Sequence, residues 1–221
     1  MGRVIRSGVD FSSLQGKKNP DEKKLELRIS KSDRIVGVVA SMTPAKSLDL
    51  FIRAARVIKD HCPDARFVMV GDGPLRPLLE NQIRATGLED SFLLLGWRRD
   101  VAEILPVFDV ALLTSRWEGV PKFLIEASAL GIPSVAFNID GVSEVIQEGI
   151  NGFLVGPANV PGLAEKALMI LQDRALGEKM GSAGKSLVEE FSAERMVQLH
   201  ETLYQELLER LQSGNLMMAS Q

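Results

Sequence analysis

Residues 109–137 read DVALLTSRWEGVPKFLIEASALGIPSVAF. A short apolar run, DVALLT (109–114), leads through a loop containing glycine and proline into PKFLIEASALG (121–131), whose apolar residues follow a helical spacing. A second short run, IPSVAF (132–137), follows at once. Two brief apolar runs joined by a helix describe a strand–helix–strand unit with strands buried on both faces. Between Phe123 and Phe137 the only charged residue is Glu126. A carboxylate in a buried segment costs on the order of several kcal/mol unless it is paired or hydrogen-bonded. The stretch therefore poses a question about function as well as fold: what does Glu126 hold?

The same alternation extends in both directions. Upstream lie the strand RIVGVVA (34–40), a helix over Lys46–Cys62, the strand RFVMVG (66–71), a helix over Pro74–Gly87, the strand FLLLG (92–96) and a short helix near Val101–Val107. Downstream lie a helical turn near Ser143–Gln147, the strand GFLVG (152–156) and a helix over Val160–Leu171. Six strands alternating with helices predict an α/β domain built on a doubly wound parallel sheet, with ligands at the carboxyl ends of the strands. Residues 15–34 are dense in charge and read as a solvated segment carrying no site. Beyond Ala175 the chain is helical, with a break expected at Phe191–Ser192. Leu199, Leu203, Leu207 and Leu211 recur every four residues as an expected packing face, since they drift out of heptad register. The tail 212–221 reads as frayed.

Composition narrows the function classes. The 221 residues are 45% hydrophobic and 25% charged, ordinary for a globular protein. Aromatic residues make up only 5% and the net charge is −3, which argues against a nucleic-acid partner. The single cysteine, Cys62, excludes an intramolecular disulfide and fits a reducing compartment. No apolar run is long enough to span a membrane, and MGRVIRSGVD lacks the apolar core of a signal peptide, so a cytoplasmic location is expected.

Several motifs carry chemistry. VGDGPLR (70–76) imitates a dinucleotide fingerprint, but Arg76 stands at its third glycine; Pro74 is expected at the first helical position. In TSRWEGVPKFLIEA, Pro121 can open a helix, which leaves the amides of Lys122 and Phe123 free to meet an anion such as a diphosphate. Gly119 lets a ligand approach the backbone. Taken alone, Glu118 has a simple account as an acid favoured near a helix start, and Glu126 as an exposed position on a buried helix. Together they suit recognition of sugar hydroxyls, because a carboxylate accepts two hydroxyl bonds at once. Lys46 opens the first helix and can reach the same edge. Neither His61 nor His200 is placed for a catalytic triad or a zinc site, and there is neither an Asp-x-Asp pair nor a P-loop. No cofactor and no metal are expected, so lysine, arginine and helix dipoles would neutralise a bound diphosphate.

With these residues in order, the chain resembles the C-terminal, donor-binding half of retaining glycosyltransferases of family 4, which have the GT-B fold. The resemblance runs from about Val4 to Tyr204. It is carried by SGVDFSSL (7–14), TPAKSLDLFIRAA (43–55), VGDGPLR, FLLLGWRRDV (92–101), residues 109–136 with the E-x7-E signature Glu118–Glu126, DGVSEVI (140–146) and EGINGFLVGPAN (148–159). It implies an interdomain-type linker over residues 1–33, a Rossmann-like nucleotide-sugar-binding domain over 34–174, C-terminal helices over 175–211 and a tail over 212–221. It implies that Glu126 binds the ribose, Glu118 the transferred sugar, and the amides of Lys122 and Phe123 the diphosphate or sugar. Lys46 would neutralise the departing diphosphate, and the turn Gly96–Trp97–Arg98 would lie against the base through its backbone.

Two positions depart from the family pattern. Ser41 stands where the family has a diphosphate-clamping arginine, with Arg98, Arg99 and Arg116 as candidate replacements. Asp140 stands where the family has the first of two paired glycines. The implied partners are a UDP- or GDP-linked sugar and an N-terminal acceptor-binding domain, supplied in the same chain or by a separate one. Without that domain the chain is expected to bind nucleotide but to transfer sugar slowly or not at all. The alternatives are a binding-only module, which Ser41 and Asp140 favour, and a sugar-nucleotide epimerase or phosphorylase on the same fold.

Overall fold

In the computed structural model, residues 3–14, 16 and 18–218 are described. Six strands, β1 (Arg34–Val39), β2 (Ala65–Val70), β3 (Phe92–Gly96), β4 (Val110–Leu113), β5 (Ser134–Phe137) and β6 (Gly152–Val155), form one sheet in the order β3-β2-β1-β4-β5-β6. Every pairing is parallel. The helices are α1 (Pro20–Glu26), α2 (Leu48–His61), α3 (Arg76–Ala85), α4 (Val101–Ile104), α5 (Lys122–Ala129), α6 (Val160–Gln172), α7 (Arg174–Leu187) and α8 (Ala193–Met218). This is the Rossmann-like doubly wound sheet that the alternation predicts.

The short apolar runs are strands because they are buried on both faces. Ile35, Val36, Ala111, Leu112, Val135 and Ala136 are wholly inaccessible to solvent. Each of α2, α3 and α5 connects one strand to a later parallel strand, as a parallel sheet requires. Outside the sheet α2 packs against α6, and α5 packs against α7. That second contact is close: a Cβ on Gly181 of α7 would stand 1.9 Å from the carbonyl oxygen of Gly131, just beyond α5.

Element ends shift by a few residues where proline intervenes. β5 starts at Ser134 rather than Ile132, since Pro133 has no N–H for the ladder. The helix expected over 101–107 ends at Ile104 and continues as a 3-10 turn, Leu105–Val107, around Pro106. α3 starts at Arg76, so Pro77, not Pro74, lies in its first turn. Near Ser143–Gln147 the turn is a 3-10 segment, Val142–Glu144.

Two expectations are corrected at the ends of the chain. The charged segment 15–34 is not solvated throughout: Leu27 and Ile29 are buried, and so is Lys23, on α1. The leucine repeat of α8 is not a packing face along its length. Leu199 and Leu203 are half-buried, but Leu207 is 45% and Leu211 65% exposed. With 26 residues the helix is roughly 39 Å long. α8 also extends through most of the tail expected to fray, to Met218, and residues 219–221 lie outside the described residues.

Candidate active site at the carboxyl edge of the sheet

The strand order reverses between β1 and β4, and in open parallel sheets that switch point, at the carboxyl ends, is where ligands bind. The loops after β1 and β4 bring the two predicted catalytic residues into contact. Lys46 closes a 3-10 turn, Pro44–Lys46, and its Nζ donates to Glu118 Oε1 at 2.7 Å. The pair is largely shielded, with side chains 25% and 10% exposed. Ser115 Oγ donates to the same Glu118 oxygen at 2.6 Å. Two more bonds seat the lysine turn on the end of β4: Thr114 Oγ1 donates to the Lys46 carbonyl at 3.0 Å, and the Arg116 amide to the Ala45 carbonyl at 2.9 Å.

Thr114 and Ser115 are absent from the predicted site. Their sequence signal was a pair of hydroxyl residues ending an apolar strand, and both are buried.

Pro121 is the N-cap of α5 rather than its first helical residue, and no side chain caps this helix. The amides of Lys122 and Phe123 are thus among the donors without intrahelical partners. Phe123 is buried and anchors the turn to the core, while Lys122 points to solvent. Glu126, one turn further on, is half-buried. Among the described residues no hydrogen bond to its carboxylate is found; burial raises its pKa, and the Lys122 charge opposes that rise.

Gly119 packs on a glycine that sequence reasoning did not place in the site. Gly141 has φ +79, and a Cβ there would stand 1.3 Å from the Gly119 carbonyl oxygen. Gly141→Ala is therefore expected to displace the Glu118–Gly119 loop. Its left-handed backbone and the clash together cost about 2–3 kcal/mol. Thermal unfolding should register this as a fall of about 4–12 °C. An unchanged melting temperature would show that the loop yields freely.

The remaining predicted residues lie further out. Ser41 is exposed, its Oγ 3.4 Å from Thr43 Oγ1, and it makes no hydrogen bond to Lys46 or Glu118. The Gly96–Trp97–Arg98 turn follows β3, two strands from β1 and so about 10 Å away. Gly96 takes φ +66 and its carbonyl accepts from the Gly71 amide, while Trp97 is 68% exposed.

The three candidate replacement arginines have different surroundings. Arg98 is engaged by Asp100 and Glu26, and Arg99 lies 5.4 Å over the Trp97 ring. Arg116 donates through Nε to Ser47 Oγ at 3.0 Å, beside the lysine turn. Asp140 is exposed next to Gly141. Among the described residues no group of three acidic, histidine or cysteine side chains is arranged to hold a metal ion, and no helix is long and apolar enough to cross a membrane. A groove of about 650 Å³ lined by Arg34, Asp109 and Arg174 lies at the opposite, amino edge.

A doubly wound sheet with paired cationic and acidic groups and an uncapped helix at its switch point is a framework for binding a phosphorylated ligand. Residues 33–173 match the family Glycosyl transferases group 1, and the chain belongs to that family. It is 32% identical over 202 residues to N-acetyl-alpha-D-glucosaminyl L-malate synthase of Bacillus anthracis, a match covering 90% of this chain and 52% of the relative. It is 30% identical over 205 residues to UDP-Gal:alpha-D-GlcNAc-diphosphoundecaprenol alpha-1,3-galactosyltransferase of Escherichia coli, covering 91% and 53%. Among solved structures, Anabaena HepE in complex with UDP and glucose superposes with a TM-score of 0.84 at 25% identity, covering 92% of this chain and 57% of that one. The chain thus spans about half the length of the curated relatives it matches.

Proposed function

We propose that this chain is the donor-binding half of a retaining, metal-independent glycosyltransferase of family 4, with a UDP-linked sugar as donor and residues 34–174 as the nucleotide-sugar-binding domain. The observation that carries the reading is the constellation at the switch point. A shielded Lys46–Glu118 pair and a half-buried Glu126 without a hydrogen bond stand beside an uncapped helix start. Glu126 takes the ribose diol, Glu118 a hydroxyl of the transferred sugar, and the α5 amides the diphosphate. The UDP named in the Anabaena complex and in the Escherichia coli relative favours uridine over guanosine.

In the assembled enzyme the bond from the anomeric carbon to the diphosphate loosens. Lys46 and the α5 amides stabilise the departing charge, and an acceptor hydroxyl attacks from the face that the diphosphate leaves, its proton passing to the departing diphosphate oxygen. Closure with an acceptor-binding half excludes water. A cytoplasmic location completes the proposal.

The test is thermal unfolding of this chain in EDTA with UDP, GDP and ADP. A ligand at 100 times its dissociation constant adds about 2.7 kcal/mol. UDP alone is expected to raise the melting temperature, and no response to any diphosphate would refute the donor site. Product analysis after an acceptor-binding half is supplied separates transfer from epimerisation.

A further inference from the structure

Lys23 belongs to the amino-terminal segment, yet its side chain is 1% exposed. Its Nζ contacts three carboxylates: Glu26 Oε2 at 3.0 Å, Asp100 Oδ2 at 2.8 Å and Glu103 Oε2 at 2.8 Å. Asp100 in turn grips Arg98 at two points, accepting from Nε at 2.7 Å and from Nη2 at 2.6 Å. The same Nη2 reaches Glu26 Oε1 at 3.3 Å, and Lys18 binds Glu26 at 2.6 Å. Three cations and three carboxylates make the cluster neutral. Lys18 and Lys23 hold the Glu26 carboxyl down at about 2, and Arg98 with Lys23 depresses that of Asp100.

Stability alone gives a poor account of this arrangement. Replacing the whole cluster by well-packed apolar side chains of similar volume would hold α1 against α4 as well as or better than these desolvated charges. What the ammonium adds is direction. Only a cation at this point gathers Asp100 and Glu103, and Asp100, so held, fixes the guanidinium of Arg98 and with it the backbone of the turn. Trp97 directly precedes Arg98 in the turn, so its exposed indole reports on the order of that backbone.

We propose that Lys23 is a positioning residue for the nucleotide. Without touching the ligand, it holds Asp100 and through it Arg98, so that the Gly96–Arg98 backbone is presented to the base already ordered. This rests on the reading above that the turn faces the base. Ordering a binding segment in advance strengthens binding by removing the cost of ordering it later.

The test uses the full chain, with UDP titrated calorimetrically into wild type, Lys23→Met, Lys23→Arg and, as a control for the site itself, Glu126→Ala. Lys23→Met is expected to weaken UDP binding about tenfold. Lys23→Arg is expected to restore most of that loss, and Glu126→Ala to abolish binding. Without ligand, hydrogen exchange at the amides of residues 97–100 is expected to quicken in Lys23→Met. In a Trp117→Phe background, where Trp97 is the sole tryptophan, its emission should shift. A purely structural clamp would lower the melting temperature and leave the dissociation constant for UDP unmoved in both Lys23 variants, which overturns the proposal. Wild-type affinity in Lys23→Met alongside lost binding in Glu126→Ala overturns the proposal and leaves the donor site standing. No UDP binding by wild type overturns both. If Lys23→Met does not fold, Asp100→Asn cuts the same link at constant volume and is expected to weaken UDP binding to the same extent; unchanged binding there overturns the proposal.

Discussion

Lys46→Ala is expected to lower sugar transfer by about 10²–10³-fold, measured with an acceptor-binding half supplied, while nucleotide binding falls far less. The removal of one preorganised group that meets developing charge typically has an effect of this size. Lys46 has that character: its Nζ is held 2.7 Å from Glu118 Oε1, and its turn is bonded to Thr114 and Arg116 at the end of β4. In the free chain Glu118 balances the ammonium. When a diphosphate departs beside it, the ammonium has a second anion to stabilise without reorganising. UDP binding should survive, because Glu126 and the α5 amides remain. A loss of less than threefold in transfer would move the neutralising role to another cation, with Arg116 the next to test, since it lies on the same turn through Ser47.

Glu126→Ala is expected to abolish the stabilisation by UDP altogether. At 100 times the dissociation constant that stabilisation is about 2.7 kcal/mol, and for a chain of this size about 5–10 °C in melting temperature. Glu126→Gln supplies a second, ligand-free test. Burial raises the Glu126 pKa above its ordinary value of 4.5. A raised acid binds its proton more tightly in the folded state than in the unfolded one, so its ionisation opposes folding. The penalty is absent below the ordinary value, grows as pH rises toward the folded value and is complete above it. Free Glu126→Gln should therefore melt above free wild type at pH 7. The difference should vanish below pH 4.5. Equal melting at both pH values would mean that the carboxylate has a partner in solution, and the argument for a waiting ribose site would fail.

Much of this molecule is legible in its order of residues, because the signals are local. DVALLT and IPSVAF announce buried strands through composition over a few positions, and proline marks where each element must stop. Once the strands alternate with helices, their carboxyl ends gather at one edge, so the loops holding Lys46 and Glu118 could be assigned to that edge without coordinates. The E-x7-E spacing then places Glu126 one turn inside the helix that Glu118 precedes.

What only the tertiary structure decided depends on contacts between distant residues. The Lys46–Glu118 pair joins positions 72 apart, and nothing near either residue signals the bond. Gly141 gives no sign in sequence that it must clear the Gly119 carbonyl. Lys23 sits in a run whose charge density reads as solvated, and its burial follows from Asp100 and Glu103 converging from α4. Conversely, the α8 leucines read as a packing face, but whether a stripe is covered depends on what lies opposite, and among the described residues nothing covers Leu207 and Leu211. Periodicity and proline report the conformation of a segment; which charges meet, and which surfaces are covered, is set by the approach of segments far apart in the chain.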